Sequence, residues 1–78
     1  MTMLVAGIDV GSGTTKAVLI EGGGAVRGQA RLRTKADFEK VTREVLAAAC
    51  EQAGVARGDV GYVATTGLGR YAVPFRDI

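Results

Sequence analysis

A glycine-rich turn lies between two strand-forming segments near the start of the chain, and it constrains everything that follows. Residues Met3 to Asp9 read MLVAGID, a near-continuous apolar run that predicts a strand with apolar residues on both faces. Val10 to Gly13 form the turn. Thr14 to Glu21 read TTKAVLIE, rich in β-branched residues, and predict a second strand. A strand directly after the turn excludes the two commonest glycine-rich phosphate loops, because both open a helix. The nucleotide P-loop also requires Gly-Lys-Ser/Thr, whereas Thr15 precedes Lys16 and Ala17 follows it. The dinucleotide fingerprint G-x-G-x-x-G finds Gly11 and Gly13, but Lys16 stands in its third place. What remains is a hairpin with a polar turn.

Such a hairpin can cradle a phosphate. Gly11 and Gly13 let an anion approach the backbone, because no Cβ intervenes. Successive backbone N–H groups in a turn form an anion-binding concavity. Ser12, Thr14 and Thr15 add hydroxyl donors, and Lys16 adds a point charge. Asp9 repels phosphate and would act through Mg2+, by holding a metal-bound water. The same residues also make an ordinary turn, and the short stretch alone leaves both readings open.

The rest of the chain fixes the topology. Gly22-Gly23-Gly24 predicts a second hairpin turn. In the next stretch, AVRGQARLR, Val26, Gly28, Ala30 and Leu32 alternate with Arg27, Gln29, Arg31 and Arg33, which predicts a half-exposed edge strand. Arg27, Arg31 and Arg33 thereby share one face, read first as solvated and alternatively as a surface for an anionic partner. A helix follows, with Thr34 as N-cap and Asp37 completing an imitation of a capping box. Phe38, Val41, Val45, Ala48, Ala49 and Gln52 mark its apolar face, widened by Leu46 and Ala53. Gly54 suits the left-handed position that ends the helix, with Val55 packing back on it. Arg57-Gly58-Asp59 belongs to a connecting turn. Val60 to Thr65 (VGYVAT) predicts a fourth strand, and Thr66 to Arg70 a loop. The order is β-β-β-α-β. The crossover through the helix brings the fourth strand back parallel to the first, which then lies between the second and fourth. One helix covers one face of the sheet, so the other is expected to be open and the fold incomplete.

Composition narrows the chemistry. The 78 residues allow one small domain, and 47% hydrophobic with 23% charged residues is a globular balance. There is no histidine, so imidazole acid–base or metal chemistry is excluded. The net charge of +2 is small and the basic residues form no run, which gives no reason to expect nucleic acid. Cys50 is the single cysteine and lies in an apolar helical stretch, where a thiol behaves as a small hydrophobe. MTMLVAGIDV lacks a basic region and is broken by Asp9, so it is unlike a signal peptide. No stretch reaches the ~20 apolar residues of a membrane span. The expected setting is cytoplasmic, without membrane contact.

Two segments carry a family resemblance. GIDVGSGTTKAVLI resembles the first phosphate motif of the superfamily that includes actin, hexokinases, sugar kinases and heat-shock chaperones. GYVATTGLGRYAVPFRDI resembles the A-T-G-x-G-R…V-P-F segment of BadF/BadG/BcrA/BcrD-type ATPases. These include activators of 2-hydroxyacyl-CoA dehydratases and the ATPase subunits of benzoyl-CoA reductase. The resemblance runs from Gly7 to Ile78. It implies an α/β fold of the ribonuclease H-like, actin-like ATPase class, residues 1–78 being the N-terminal part of one such domain. It also implies a parent protein, a homodimer or related heterodimer, that binds ATP and Mg2+ in a cleft. A 4Fe-4S cluster would bridge the parent's subunits. ATP hydrolysis would drive a low-potential electron into an acyl-CoA dehydratase or reductase component.

Carried onto this chain, Asp9 matches the metal-linked acid, and Gly11, Ser12, Gly13, Thr14 and Lys16 match the phosphate turn. No residue is assigned a catalytic role, and Gly67, Gly69 and Arg70 match the family segment without one. The second phosphate motif, the adenosine motif and the cluster cysteines have no counterpart in the chain, and Cys50 matches none of those ligands. The isolated chain is therefore expected to be inactive, to bind ATP weakly or not at all, and to self-associate or be poorly soluble. Two other readings compete. A sugar kinase of the same superfamily would carry a Gln-Asp-Pro-type segment with Trp before the first helix, and both are absent. A non-enzymatic module would pair through its open sheet.

Overall fold

The structure, a computed structural model, describes residues 3–78. Its elements are β1 (Leu4–Val10), β2 (Thr14–Glu21), β3 (Val26–Arg33), α1 (Phe38–Ala53) and β4 (Val60–Thr66), with short 3-10 turns at Arg57–Asp59 and Arg70–Ala72. The four strands form one sheet in the order β3-β2-β1-β4. The pairs β1–β2 and β2–β3 are antiparallel, and β1–β4 is parallel, as the β-β-β-α-β reading requires.

Period-two alternation sorts the sheet into two chemically different faces. Leu4, Ala6, Ile8 and Val10 of β1, with Ala17 and Leu19 of β2 and Val63 of β4, are buried beneath α1. All of these but Leu4 cluster with Val45, Leu46, Ala49 and Cys50 of α1, and Val73 closes the cluster from beyond β4. On the opposite face Val5, Gly7 and Val18 are half-buried and Asp9, Lys16 and Tyr62 are exposed. The apolar run of β1 is thus fully covered on one side only, because a single helix packs on the sheet.

The helix begins three residues later than the sequence indicated. Asp37 is the N-cap, and its Oδ1 accepts from the Lys40 N–H at 3.0 Å. Thr34 instead continues the line of β3. Its N–H donates to the Gly13 carbonyl at 3.0 Å, and its hydroxyl lies 2.7 Å from that of Thr15. Pairing with the first hairpin therefore holds Thr34 extended, and aspartate is an equally good cap further on. The buried stripe of α1 also includes Thr42, whose hydroxyl returns to the Phe38 carbonyl at 2.8 Å. Gln52 lies outside the stripe, and its Oε1 accepts from the Gln29 N–H at 3.1 Å, tying the helix to the edge strand. Gly54 ends α1 in the left-handed region, φ 72°, and Val55 donates back to Cys50, as its sequence predicts.

The outer edge of β4 is also partly covered. Asp77 donates through its N–H to Val63 O and accepts from Val63 N–H through Oδ2, both at 2.7 Å, and Thr65 donates to Ile78 O at 2.8 Å. No helix among the described residues is long and apolar enough to cross a membrane.

Gly28 is where α1 sits closest to the sheet. A Cβ there would lie 2.6 Å from the Ala49 carbonyl oxygen and 2.7 Å from the Ala53 Cβ. Backbone on one side and a packed methyl on the other leave no cheap relief. Gly28→Ala is expected to lower the unfolding free energy by about 1–3 kcal/mol in urea denaturation. Gly23→Ala, whose Cβ meets nothing within 4 Å, should stay within about 0.5 kcal/mol of wild type.

Candidate functional site: a glycine turn above a charged row

At the turn end of the sheet, four side chains form a row across the open face. Asp9 pairs with Lys16 across β1 and β2, and with Thr66 across β1 and β4. Lys16 in turn pairs with Arg31 of β3. The row therefore reads Arg31, Lys16, Asp9, Thr66. Asp9, Lys16 and Arg31 line an open depression of about 540 Å³, with Gly7, Val18 and Gln29 forming the next row.

The turn itself stands at the end of this row. Gly11 donates to the Thr14 carbonyl at 3.1 Å, which closes it, and a Cβ on Gly11 would fall 2.8 Å from that same oxygen. Ser12, Gly13 and Thr14 are exposed. A Cβ on Gly13 would meet nothing within 4 Å, so the fold leaves clear space over that peptide.

Of the residues singled out in the sequence, the structure brings Asp9, Gly11, Ser12, Gly13, Thr14 and Lys16 to one end of the sheet. Thr15 goes elsewhere. It is fully buried on the α1 side, with its hydroxyl shared with Thr34. Alternation along β2 directs Lys16 to the open face and so directs Thr15 away from it. Its side chain ties the hairpin to the end of β3 and does not line the cradle.

The loop after β4, given no role from sequence, borders the site. Gly67 adopts φ +95°, and a Cβ there would lie 2.7 Å from Asp9 Oδ1 and 2.6 Å from the Val10 carbonyl oxygen. Gly69 donates to Val10 O at 3.0 Å and is itself buried against Val10 and Phe38. Arg70 closes the loop through a hydrogen bond from Nη1 to Gly67 O at 2.8 Å, with its guanidinium over the Tyr71 ring. The glycines of TTGLG thus let the loop press against the end of β1 without displacing the Asp9 carboxylate. Topology was the available signal: loops at the carboxyl ends of adjacent parallel strands meet.

The donor set accommodates a nucleotide's phosphates and a Mg2+ ion. Magnesium retains most of its waters and takes one or two carboxylates beside phosphate oxygens, and Asp9 supplies one carboxylate next to the open turn. An iron–sulfur cluster does not fit. Cys50 is the one cysteine, is only 4% exposed, and lies on the buried side of α1, across the sheet from the charged row.

These features define a class: an actin-like ATPase fold that opens with a glycine-turn hairpin. The family model of the BadF/BadG/BcrA/BcrD ATPase family matches residues 6–77, and the chain belongs to that family. No curated protein matches the chain. Among solved structures it is similar to the activator of the 2-hydroxyisocaproyl-CoA dehydratase from Clostridium difficile with bound ADPNP. The TM-score is 0.82 at 28% identity, over 96% of this chain and 28% of that one. It is also similar to component A of (R)-2-hydroxyglutaryl-CoA dehydratase from Acidaminococcus fermentans. There the TM-score is 0.78 at 23% identity, over 90% of this chain and 27% of the other. A xylulose kinase from Bifidobacterium adolescentis shares the fold at TM-score 0.58 and 22% identity, over 85% of this chain and 14% of its own. The chain thus spans little more than a quarter of the length of the two dehydratase proteins.

Burial pushes the Cys50 thiol above its ordinary value, Arg57 opposes this, and Asp59 adds to it. The thiol therefore stays protonated in the folded chain at pH values where the unfolded chain ionises. That contribution to stability is present below the ordinary thiol pKa and is lost as pH rises toward the folded value. Urea denaturation between about pH 8 and pH 10 should show stability falling with pH, and Cys50→Ala should flatten that part of the slope.

Proposed function

We propose that the chain is the N-terminal, phosphate-binding part of an ATPase that activates a 2-hydroxyacyl-CoA dehydratase or benzoyl-CoA reductase component. In that reading ATP hydrolysis is coupled to low-potential electron transfer in a dimeric parent protein in the cytoplasm. One observation carries the proposal: Asp9 and Lys16 are cross-strand partners beside an exposed glycine turn, in a chain of this ATPase family. The ADPNP bound to the similar Clostridium difficile activator supports the choice of nucleotide.

Each residue has a distinct task. Ser12 and Gly13 are exposed, and their N–H groups would donate to phosphate oxygens. The hydroxyls of Ser12 and Thr14 add donors of adjustable direction. The Lys16 ammonium balances the phosphate charge. Asp9 would hold the cation through its bound water, keeping the carboxylate itself off the phosphates, and the cation would supply charge neutralisation there. Gly67 keeps the space around the Asp9 carboxylate clear. ATP with Mg2+, when bound, supplies the phosphoanhydride whose hydrolysis drives the activator. Electron transfer belongs to the whole assembly, since this chain's single buried cysteine cannot hold a cluster. The sugar-kinase alternative draws on fold likeness alone.

The chain offers one wall of a nucleotide site, so its own affinity is expected to be weak. Amide chemical-shift titration with Mg2+ and ADPNP should perturb Asp9, Gly11 to Lys16 and Gly67, with a dissociation constant on the order of millimolar. Lys16→Ala should weaken binding about tenfold, as expected for loss of one charge-assisted hydrogen bond. Undisturbed turn amides at about 10 mM nucleotide would refute the phosphate reading, and a submicromolar constant by calorimetry would refute the one-wall argument.

A further inference from the structure

From sequence Arg31 belongs to an arginine face that reads first as solvated and second as meeting an anionic partner, and its surroundings favour the second. It is the direct cross-strand partner of Lys16, and both line the depression that contains Asp9. Two like charges directly opposite each other weaken a sheet. Asp9 faces Lys16 from the other side, but neither Lys16 nor Arg31 is held in an ion pair: among the described residues the ion pairs are Arg27 with Glu21 and Arg43 with Glu39. The contrast within β3 is informative. Arg27, at the far end of the strand, has its acid in Glu21, whereas Arg31, beside the turn, has another cation. Asp9 carries the single negative charge in the row, and it stands beyond Lys16, one strand further from Arg31. Two adjacent cations outside any ion pair, with one carboxylate between them and the rest of the row, form a binding arrangement more than a stabilising one.

We infer that Arg31 is a second cation of the phosphate site and makes that site select a polyphosphate chain over a single phosphate. The inference rests on the phosphate reading of the turn and extends it along the sheet. Neighbouring strands are ~4.8 Å apart, so Lys16 and Arg31 rise from the face as two separate attachment points. One phosphate group occupies the turn and Lys16. The next lies over β2 and β3, where the planar guanidinium of Arg31 takes two of its oxygens at once. A lone phosphate satisfies the turn and Lys16 and leaves Arg31 without a ligand. The exposed Gln29 beside Arg31 adds an amide donor at the same end of the depression.

The probes are inorganic tripolyphosphate and orthophosphate, titrated separately into the 78-residue chain and followed by amide chemical shifts. Arg31→Gln is compared with Lys40→Gln, which removes the same unit of charge from an exposed position on α1, across the sheet. Arg31→Gln should weaken tripolyphosphate about tenfold and orthophosphate less than twofold, while Lys40→Gln changes both less than twofold. Arg31→Lys should recover part of the tripolyphosphate affinity, which a loss through misfolding would not do. Equal small losses in Arg31→Gln and Lys40→Gln, with shifts at Gly11 to Gly13 intact, overturn the role of Arg31 and leave the cradle standing. Absence of shifts at Gly11 to Gly13 with either anion in wild type overturns the phosphate reading and this inference together.

Discussion

The register of the first hairpin governs both the core and the site. Gly11 closes the turn onto Thr14, in a geometry that a side chain at Gly11 would obstruct. That closure places Val10 opposite Thr15 and Asp9 opposite Lys16. Because side chains alternate, a slip of one residue would turn Leu4, Ala6, Ile8 and Val10 to solvent and Asp9 into the helix interface. Each of the larger apolar chains gains roughly 1.5–3 kcal/mol from burial, and an unpaired carboxylate there would cost several more. One register thus satisfies the core and assembles the charged row, and neither can shift without the other.

The same alternation separates two tasks that the sequence places side by side. Thr15 and Lys16 are neighbours, yet one is buried against Thr34 and the other reaches the open depression. The buried hydroxyl pair fastens the hairpin to the start of the crossover. Gly13 accepts a hydrogen bond from the Thr34 N–H through its carbonyl, which fixes the turn from behind while its front stays clear. The parallel pairing of β4 with β1 adds the third constraint. It brings the Thr66–Arg70 loop to the end of β1, where Gly67 and Gly69 seat it against Asp9 and Val10.

What could be read from the sequence followed from periodicity and turn chemistry. The bounds of β2 and the positions of Gly54 and the strand order depend on local patterns that nothing downstream overrides. The first turn of α1 was not legible, because the partner of Thr34 is Thr15, nineteen residues away. The burial of Thr42 was hidden for a related reason. Its hydroxyl is satisfied within the helix, so a polar residue sits in an apolar stripe at little cost. Most of the site was visible as a motif, whereas the contact of Gly67 with Asp9 required knowing that two distant strands lie side by side. Thr15 was grouped with the cradle by composition, and only its place in the alternation removes it.

The row of charges also gives a physical reason why the proposed phosphate site would be weak with one wall alone. Asp9, Lys16 and Arg31 all stand in an open depression, where water and salt screen their attraction for a ligand. Their geometry is nonetheless held by the strand register, so little ordering cost remains when an anion arrives. The missing contribution is therefore exclusion of water more than further alignment. Any surface that covered the half-buried Val5, Gly7 and Val18 would also roof the row at its side, lowering the local dielectric around charges already in place. Covering the open face and tightening the proposed phosphate site would in this fold be the same physical event.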